Sequence, residues 1–398
     1  MTPPPVELFR SLTVLSIEQA MTLPFLTMRL AMEGMRVIRV ENPPRGDPNR
    51  WVGREAVDGE TGMGTYYLPN NPGKLGVTLN LAEAEGRRLL HRLIGELPVD
   101  IFATNQRPRS YTRLGIDEAS LRRLRPNLIW LGISGFGPEH DEAAYDPILQ
   151  ARSGFMDLTG EPDGPPVVFG LPMVDLGAAE HAYGQVMRAL YRRAATGQGA
   201  KIEISMFQSA VSWMNTPILL AASFQETIGR PGNRHPFFAP VEVYPSADGH
   251  IYIAVGNDRQ WELLTSLPGF ESLDRETFRR NAGRIAAVAS LNEALAALTR
   301  PHTTAWLVDH LQSAGIPVSR VQTVEQVCAD PLVAELLIRS RDPRSGVEIR
   351  LPPPPVLTEF LLEHDLTMDF PPRLGEHNEL VLGWLGQNAA SLQRQGLL

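Results

Sequence analysis

Asp175 follows the chain breakers Gly170 and Pro172 and opens a segment in which Leu176, Ala179, Tyr183, Val186 and Leu190 recur at helical spacing. A carboxylate at such a place can cap the helix by accepting from its free N–H groups. It can equally be held ionised by the helix dipole and serve as a nucleophile. The sequence is compatible with both. Glu18 and Gln19 end the first apolar run, where a parallel sheet collects its ligands, and they either line a site or cap the following helix. Arg107, Arg109 and Arg113 follow another strand-like run. They suit a phosphate-bearing ligand or form a solvated basic loop. Arg36, Arg39, Arg45 and Arg50 make a second cluster with the same two readings.

What the chain lacks narrows the chemistry. It has 398 residues and one cysteine, and only Lys74 and Lys201 are lysines against 35 arginines. A disulfide framework or a cysteine-ligated metal centre needs several thiols. Neither lysine is followed by Ser or Thr, so a Walker A loop is excluded. The turn Ser16-Ile17-Glu18-Gln19-Ala20 has no glycine, which argues against a dinucleotide cradle. The nine histidines show no His-Glu-x-x-His spacing, and no Gly-x-Ser-x-Gly elbow exists. The net charge of -8 argues against nucleic acid as a partner. No apolar run is long enough to span a membrane. A cytoplasmic protein with a short disordered lead-in, MTPPPVELF, is expected.

Repeated strand–helix alternation must position these groups. Leu12–Ile17, a helix over Ala20–Glu33 and Val37–Val40 form a βαβ unit, which predicts parallel strands. Leu75–Leu79, Asp100–Thr104, Leu128–Ile133 and Lys201–Ser205 continue the series. The helices between them lie over Ala82–Leu97, around Leu121 and over Asp175–Ala195. An apolar helix is predicted over Met206–Leu220. The fold class is α/β: a doubly wound, mainly parallel Rossmann-like large domain with a smaller α+β domain. The expected boundaries are 1–225 for the first part of the large domain and 226–330 for the small one. Residues 331–398 form a linker, stiffened by Pro352–Pro355, and a return to the large domain.

Ordered pieces along nearly the whole chain resemble the family III coenzyme A transferases. Val37-Ile38-Arg39-Val40-Glu41 with Gly46-Asp47 and Arg50 is similar to the family's second strand and loop. Asn105-Gln106-Arg107-Pro108 with Leu114-Gly115-Ile116 resembles its Asn-x-Arg-Pro-Gly…Leu-Gly signature. Ile133 to Gly137 with Tyr145-Asp146, Pro172 to Ser209, and Leu374-Gly375-Glu376-His377-Asn378 resemble further blocks in order. The chain departs from the pattern at Gln106 and Arg109, and in the short acidic loop Pro138-Glu139-His140-Asp141-Glu142.

The resemblance implies that CoA passes between carboxylic acids, or between two carboxyls of one acid, through aspartyl anhydride and aspartyl-CoA intermediates. Mesaconyl-CoA is the example closest in pattern. Asp175 would be the nucleophile and Gln19 a catalytic oxyanion donor. Arg39, Asn105, Arg107, Arg113, Leu114 and Tyr145 would hold the CoA moiety. No metal or organic cofactor is implied, because coenzyme A is part of the substrate. Acyl-CoA and small acids are the implied partners, with an interlocked homodimer as the assembly. Two alternatives stand beside this reading. One is an α-methylacyl-CoA racemase on the same fold, which carries a histidine where this chain has Tyr145. The other is a non-catalytic acyl-CoA-binding protein.

Overall fold

The structure, a computed structural model, describes residues 8–57 and 59–398. The expected lead-in lies outside the described residues except at its end. Six parallel strands build one sheet: β1 (Thr13–Ile17), β2 (Arg36–Glu41), β3 (Lys74–Thr78), β4 (Val99–Thr104), β5 (Ile129–Ser134) and β6 (Ala200–Ser205). Their order is β3-β2-β1-β4-β5-β6, the doubly wound arrangement expected. The sheet is covered on both faces, so strands such as Thr13-Val14-Leu15-Ser16-Ile17 are buried throughout. Leu15, Ile17, Phe102 and Trp130 share one core with Leu89, Leu90 and Leu93 of helix α2 (Ala84–Glu96) and with Leu382 and Leu392 near the C-terminus. Helix α1 (Thr22–Met32) packs against helix α3 (Met173–Thr196).

The C-terminal chain seals the edge strand β3. His377 N donates to Gly76 O at 2.9 Å. Gly76 N donates in turn to the ring nitrogen His377 Nδ1 at 3.1 Å, and Thr78 N to Asn378 Oδ1 at 2.8 Å. Pro372 packs closely over position 76, where a Cβ would lie 3.0 Å from its ring. Side chains thus supply acceptors that a further strand would otherwise provide.

The chain divides into two compact units. One contains the segment ending at Ser153, Gly170–Met214 and Leu332–Leu398; the other contains Gly154–Phe169 and Asn215–Pro331. The second unit is an antiparallel sheet of β7 (Val241–Pro245), β8 (His250–Ala254) and β9 (Val318–Arg320). It buries Ile251 and Ile253 against Trp261, Leu291, Leu307 and Leu311. The first unit also holds a hairpin, β10 (Ile338–Arg341) and β11 (Glu348–Leu351), which sequence patterning did not anticipate.

The helix expected over Met206–Leu220 is broken. It runs over Met206–Val211 and restarts at Asn215. Pro217 lacks an N–H and is tolerated only in a first turn, which the restart gives it.

Candidate active site

The turn after β1 is held by side chains at every backbone polar group of two residues. Gln19 N donates to Asn105 Oδ1 at 3.1 Å, and Asn105 Nδ2 donates to Gln19 O at 2.8 Å. Ala20 N donates to Asp47 Oδ1 at 3.1 Å, and Asn49 Nδ2 to Ala20 O at 2.9 Å. Ala20 has φ +63°, a left-handed conformation that a residue with a Cβ adopts at a cost. The four bonds hold it there. Because β1 and β4 are neighbours at the point where the sheet's winding reverses, the Gln19–Asn105 clamp sits where such sheets bind ligands. Both backbone N–H groups are engaged, which leaves the exposed side-chain amide of Gln19 as the donor this turn offers.

Beneath the turn lies a buried charge network. Arg39 pairs with Asp47 and donates to Asn71. Lys74 Nζ donates to Glu18 Oε1 at 2.8 Å, Pro24 O at 2.9 Å and Asn71 Oδ1 at 3.1 Å. Burial pushes the Lys74 ammonium down to about 8, with Glu18 opposing the shift. Arg50 grips Glu41 with two bonds of 2.8 and 2.6 Å and lies 3.9 Å over the Tyr67 ring. The cluster Arg36, Arg39, Arg45 and Arg50 is therefore not one basic surface. Arg39 has 0% exposure and Arg50 1%, and both serve interior carboxylates. Arg39, expected against CoA, instead braces the aspartate that holds Ala20. Glu18 neither caps a helix nor stands free, because Lys74 and the Thr27 hydroxyl occupy its carboxylate.

Asp175 is not the helix cap. α3 begins two residues earlier, at Met173. The orphan amides Val174 N and Asp175 N donate instead to Asp146 Oδ1, at 2.8 and 3.3 Å. That division of labour leaves the Asp175 carboxylate free of its own helix. The Thr22 hydroxyl donates to Asp175 Oδ1 and lies 3.8 Å from Met206 Sδ. No other donor among the described residues reaches this carboxylate, so Oδ2 is unengaged. Burial raises the Asp175 carboxyl from 3.8 to about 6, the Thr22 bond opposing the rise and the charge on Asp146 adding to it.

Asp175 lines a 170 Å³ cavity with Gln19, Thr22, Asn105, Arg107, His140 and Tyr145. A 410 Å³ cavity shares Gln19 and Gln106 with it and extends over Asn42, Leu79, Arg113 and Leu114. The structure thus brings Asp175, Gln19, Asn105, Arg107 and Tyr145 together and places Arg113 and Leu114 further along the same groove. The acidic loop carries little uncompensated charge there, since Asp141 faces Arg109 at 3.8 Å and Glu142 pairs with Arg152. Sequence reasoning missed Thr22 and Asn49, each unremarkable in a helical or loop segment, and read Met206 only as part of a motif. Asp47 and Asp146 were legible as parts of motifs, but not as the groups that hold Ala20 and cap α3.

The chain resembles known proteins along most of its length. The pattern of CoA-transferase family III matches residues 10–378. The chain is 33% identical over 389 residues to the succinate–glutarate CoA-transferase of Agrobacterium fabrum, covering 94% of each. It is 30% identical over 391 residues to the succinyl-CoA:mesaconate CoA-transferase of Haloarcula marismortui, covering 94% of this chain and 96% of the other. A CaiB/BaiF family protein from Brucella suis superposes with TM-score 0.81 at 31% identity, covering 94% and 98%. A parallel sheet of this order, a carboxylate facing a cavity at its carboxyl end and a match across nearly the whole chain lead to one assignment: the chain belongs to CoA-transferase family III.

Proposed function

We propose that this enzyme moves CoA between small dicarboxylic acids with Asp175 as covalent carrier. The observation that carries the reading is the placement of Asp175: desolvated, held at Oδ1 by Thr22 and lining the cavity that Gln19 and Arg107 also line. Oδ2 adds to the thioester carbonyl, CoA leaves as thiolate, and a mixed anhydride forms. The thiolate then takes the aspartyl carbonyl and releases the donor acid, and the acceptor acid reverses these steps. The Gln19 amide supports the oxyanion on the substrate carbonyl. Arg107 and Arg113, both exposed along the groove, take the phosphates and polar arm of CoA. Asn105 acts through the turn it clamps.

Short diacids are favoured because the relatives named above act on succinate, glutarate and mesaconate, and because the cavity beside Asp175 is small. A panel of acyl-CoAs assayed with and without free acids tests the assignment. Succinyl-CoA with a C4–C5 diacid acceptor should be the best pair, and transfer without any acceptor would instead show movement between two carboxyls of one acid. Tyr145, Ile148, Leu171 and Tyr191 are 73, 54, 57 and 80% exposed. Such apolar exposure supports a second copy of the chain as partner, in the interlocked form the family resemblance implies.

A further inference from the structure

Thr22 opens α1, is buried, and gives its hydroxyl to Asp175 Oδ1. Its other polar neighbour among the described residues is the Met206 thioether, a weak acceptor, so the single hydroxyl proton belongs to the carboxylate. In the resting enzyme this bond orients the nucleophile. Once Oδ2 is acylated, Oδ1 becomes a carbonyl oxygen with a donor already in place.

We propose that the Thr22 hydroxyl is a catalytic oxyanion donor for every step in which the Asp175 carbonyl carbon is attacked, an inference that rests on Asp175 being the covalent carrier. In the anhydride, Oδ2 links Cγ to the acyl carbon. The CoA thiolate bonds through sulfur to Cγ, and the carbonyl electron pair moves onto Oδ1. As that pair returns, the Cγ–Oδ2 bond breaks and the donor acid departs as a carboxylate carrying Oδ2. One anion enters and one leaves, so no proton or further reagent is required. The acceptor acid repeats the event in reverse: its oxygen adds to Cγ, charge again collects on Oδ1, and CoA leaves as thiolate.

Both passages begin from a neutral carbonyl and place charge on the oxygen that Thr22 touches. A donor that meets charge only in the transition state lowers the barrier. The positive end of α1, where Thr22 stands, acts in the same direction. Anhydride formation differs, because there the charge collects on the substrate's carbonyl oxygen. Thr22 therefore separates the two halves of the reaction.

Rapid-quench mass spectrometry with succinyl-CoA and no acceptor reads the halves independently. Free CoA reports the anhydride, and the CoA-bearing Asp175 peptide reports the thioester. The measurement is made at pH 8, where Asp175 is ionised. Thr22→Val keeps the shape and the methyl group. It should slow CoA release only a few-fold, through the lost orienting bond, yet form the thioester about 10²-fold more slowly, and Thr22→Ser should restore thioester formation. Thr22→Ala is read in the same way should the valine disturb packing on Met206. Thioester formation at the wild-type rate in Thr22→Val or Thr22→Ala would overturn the proposal. Equal slowing of both halves, unrelieved by serine, would overturn it in favour of a packing role. Turnover by wild-type enzyme with no adduct at Asp175 would remove the covalent carrier itself, and is distinguished because it appears with Thr22 intact.

Discussion

Ionised Asp175 is an unfavourable group for the fold and, in the proposed mechanism, a favourable one for the reaction. Burial raises its pKa from 3.8 to about 6, so keeping it charged costs on the order of 3 kcal/mol. A carboxyl whose folded value lies above its unfolded one stabilises the protein fully below the unfolded pKa. That contribution is lost as pH rises through the interval from about 4 to 6. Asp175→Asn should therefore abolish transfer and yet unfold a few degrees higher than wild type at pH 8, the difference vanishing at pH 4 in a calorimetric series. In the proposed mechanism the attacking form is the carboxylate, so kcat/KM should climb with pH to a plateau with its inflection near 6. Thr22→Val removes a bond that favours ionisation and should move that inflection upward. Asp175 and Gln19 stood out as candidates in the sequence because a carboxylate beside chain breakers and an amide at a strand end are unusual in type and place. Thr22 was not, since a threonine at the start of a helix carries no signal until the fold brings a second helix against it.

At the scale of elements, one device holds the site and another the sheet edge, and both depend on side chains standing in for backbone. The Gln19-Ala20 turn is fixed by Asn105, Asp47 and Asn49, so Asn49→Ala frees Ala20 O and loosens the turn. It should lower kcat about tenfold with little change in melting temperature, a loss of positioning rather than of chemistry. The edge of β3 depends on neutral His377, whose Nδ1 accepts from Gly76 N–H. Burial, the larger influence, lowers its pKa from 6.5, against Glu376 and Asp369. The stability it contributes is complete above pH 6.5 and declines as pH falls toward the lowered folded value. His377→Leu orphans the Gly76 amide and should cost about 1–3 kcal/mol. In denaturant titrations its stability should also depend less on pH below 6.5, while turnover per folded enzyme is unchanged. Strands and long helices were readable from apolar periodicity. The β10–β11 hairpin was not, because Ile-Arg-Ser-Arg and Glu-Ile-Arg-Leu are mostly polar and, apart from one bridge between Arg339 and Thr367, pair with each other.

At the scale of the molecule, the alternation of strand and helix was enough to predict the doubly wound sheet, because buried parallel strands read as continuous apolar runs. Burial was harder to read. Four arginines close in sequence looked like one basic surface, but Arg39 and Arg50 turn inward to Glu41 and Asp47, and nothing in their spacing separates them from exposed Arg45. The planar guanidinium explains the choice, since each of the two meets several acceptors at once. The exposed apolar residues of the first unit lead to a further expectation: light scattering at assay concentration should give the mass of two chains, and a monomer that is fully active would contradict the proposed assembly. The central claim is tested most directly by quenching active enzyme during turnover of succinyl-CoA with hydroxylamine and sequencing its peptides by mass spectrometry. The account predicts a hydroxamate at Asp175 and nowhere else. Full activity with an unmodified Asp175 would contradict it.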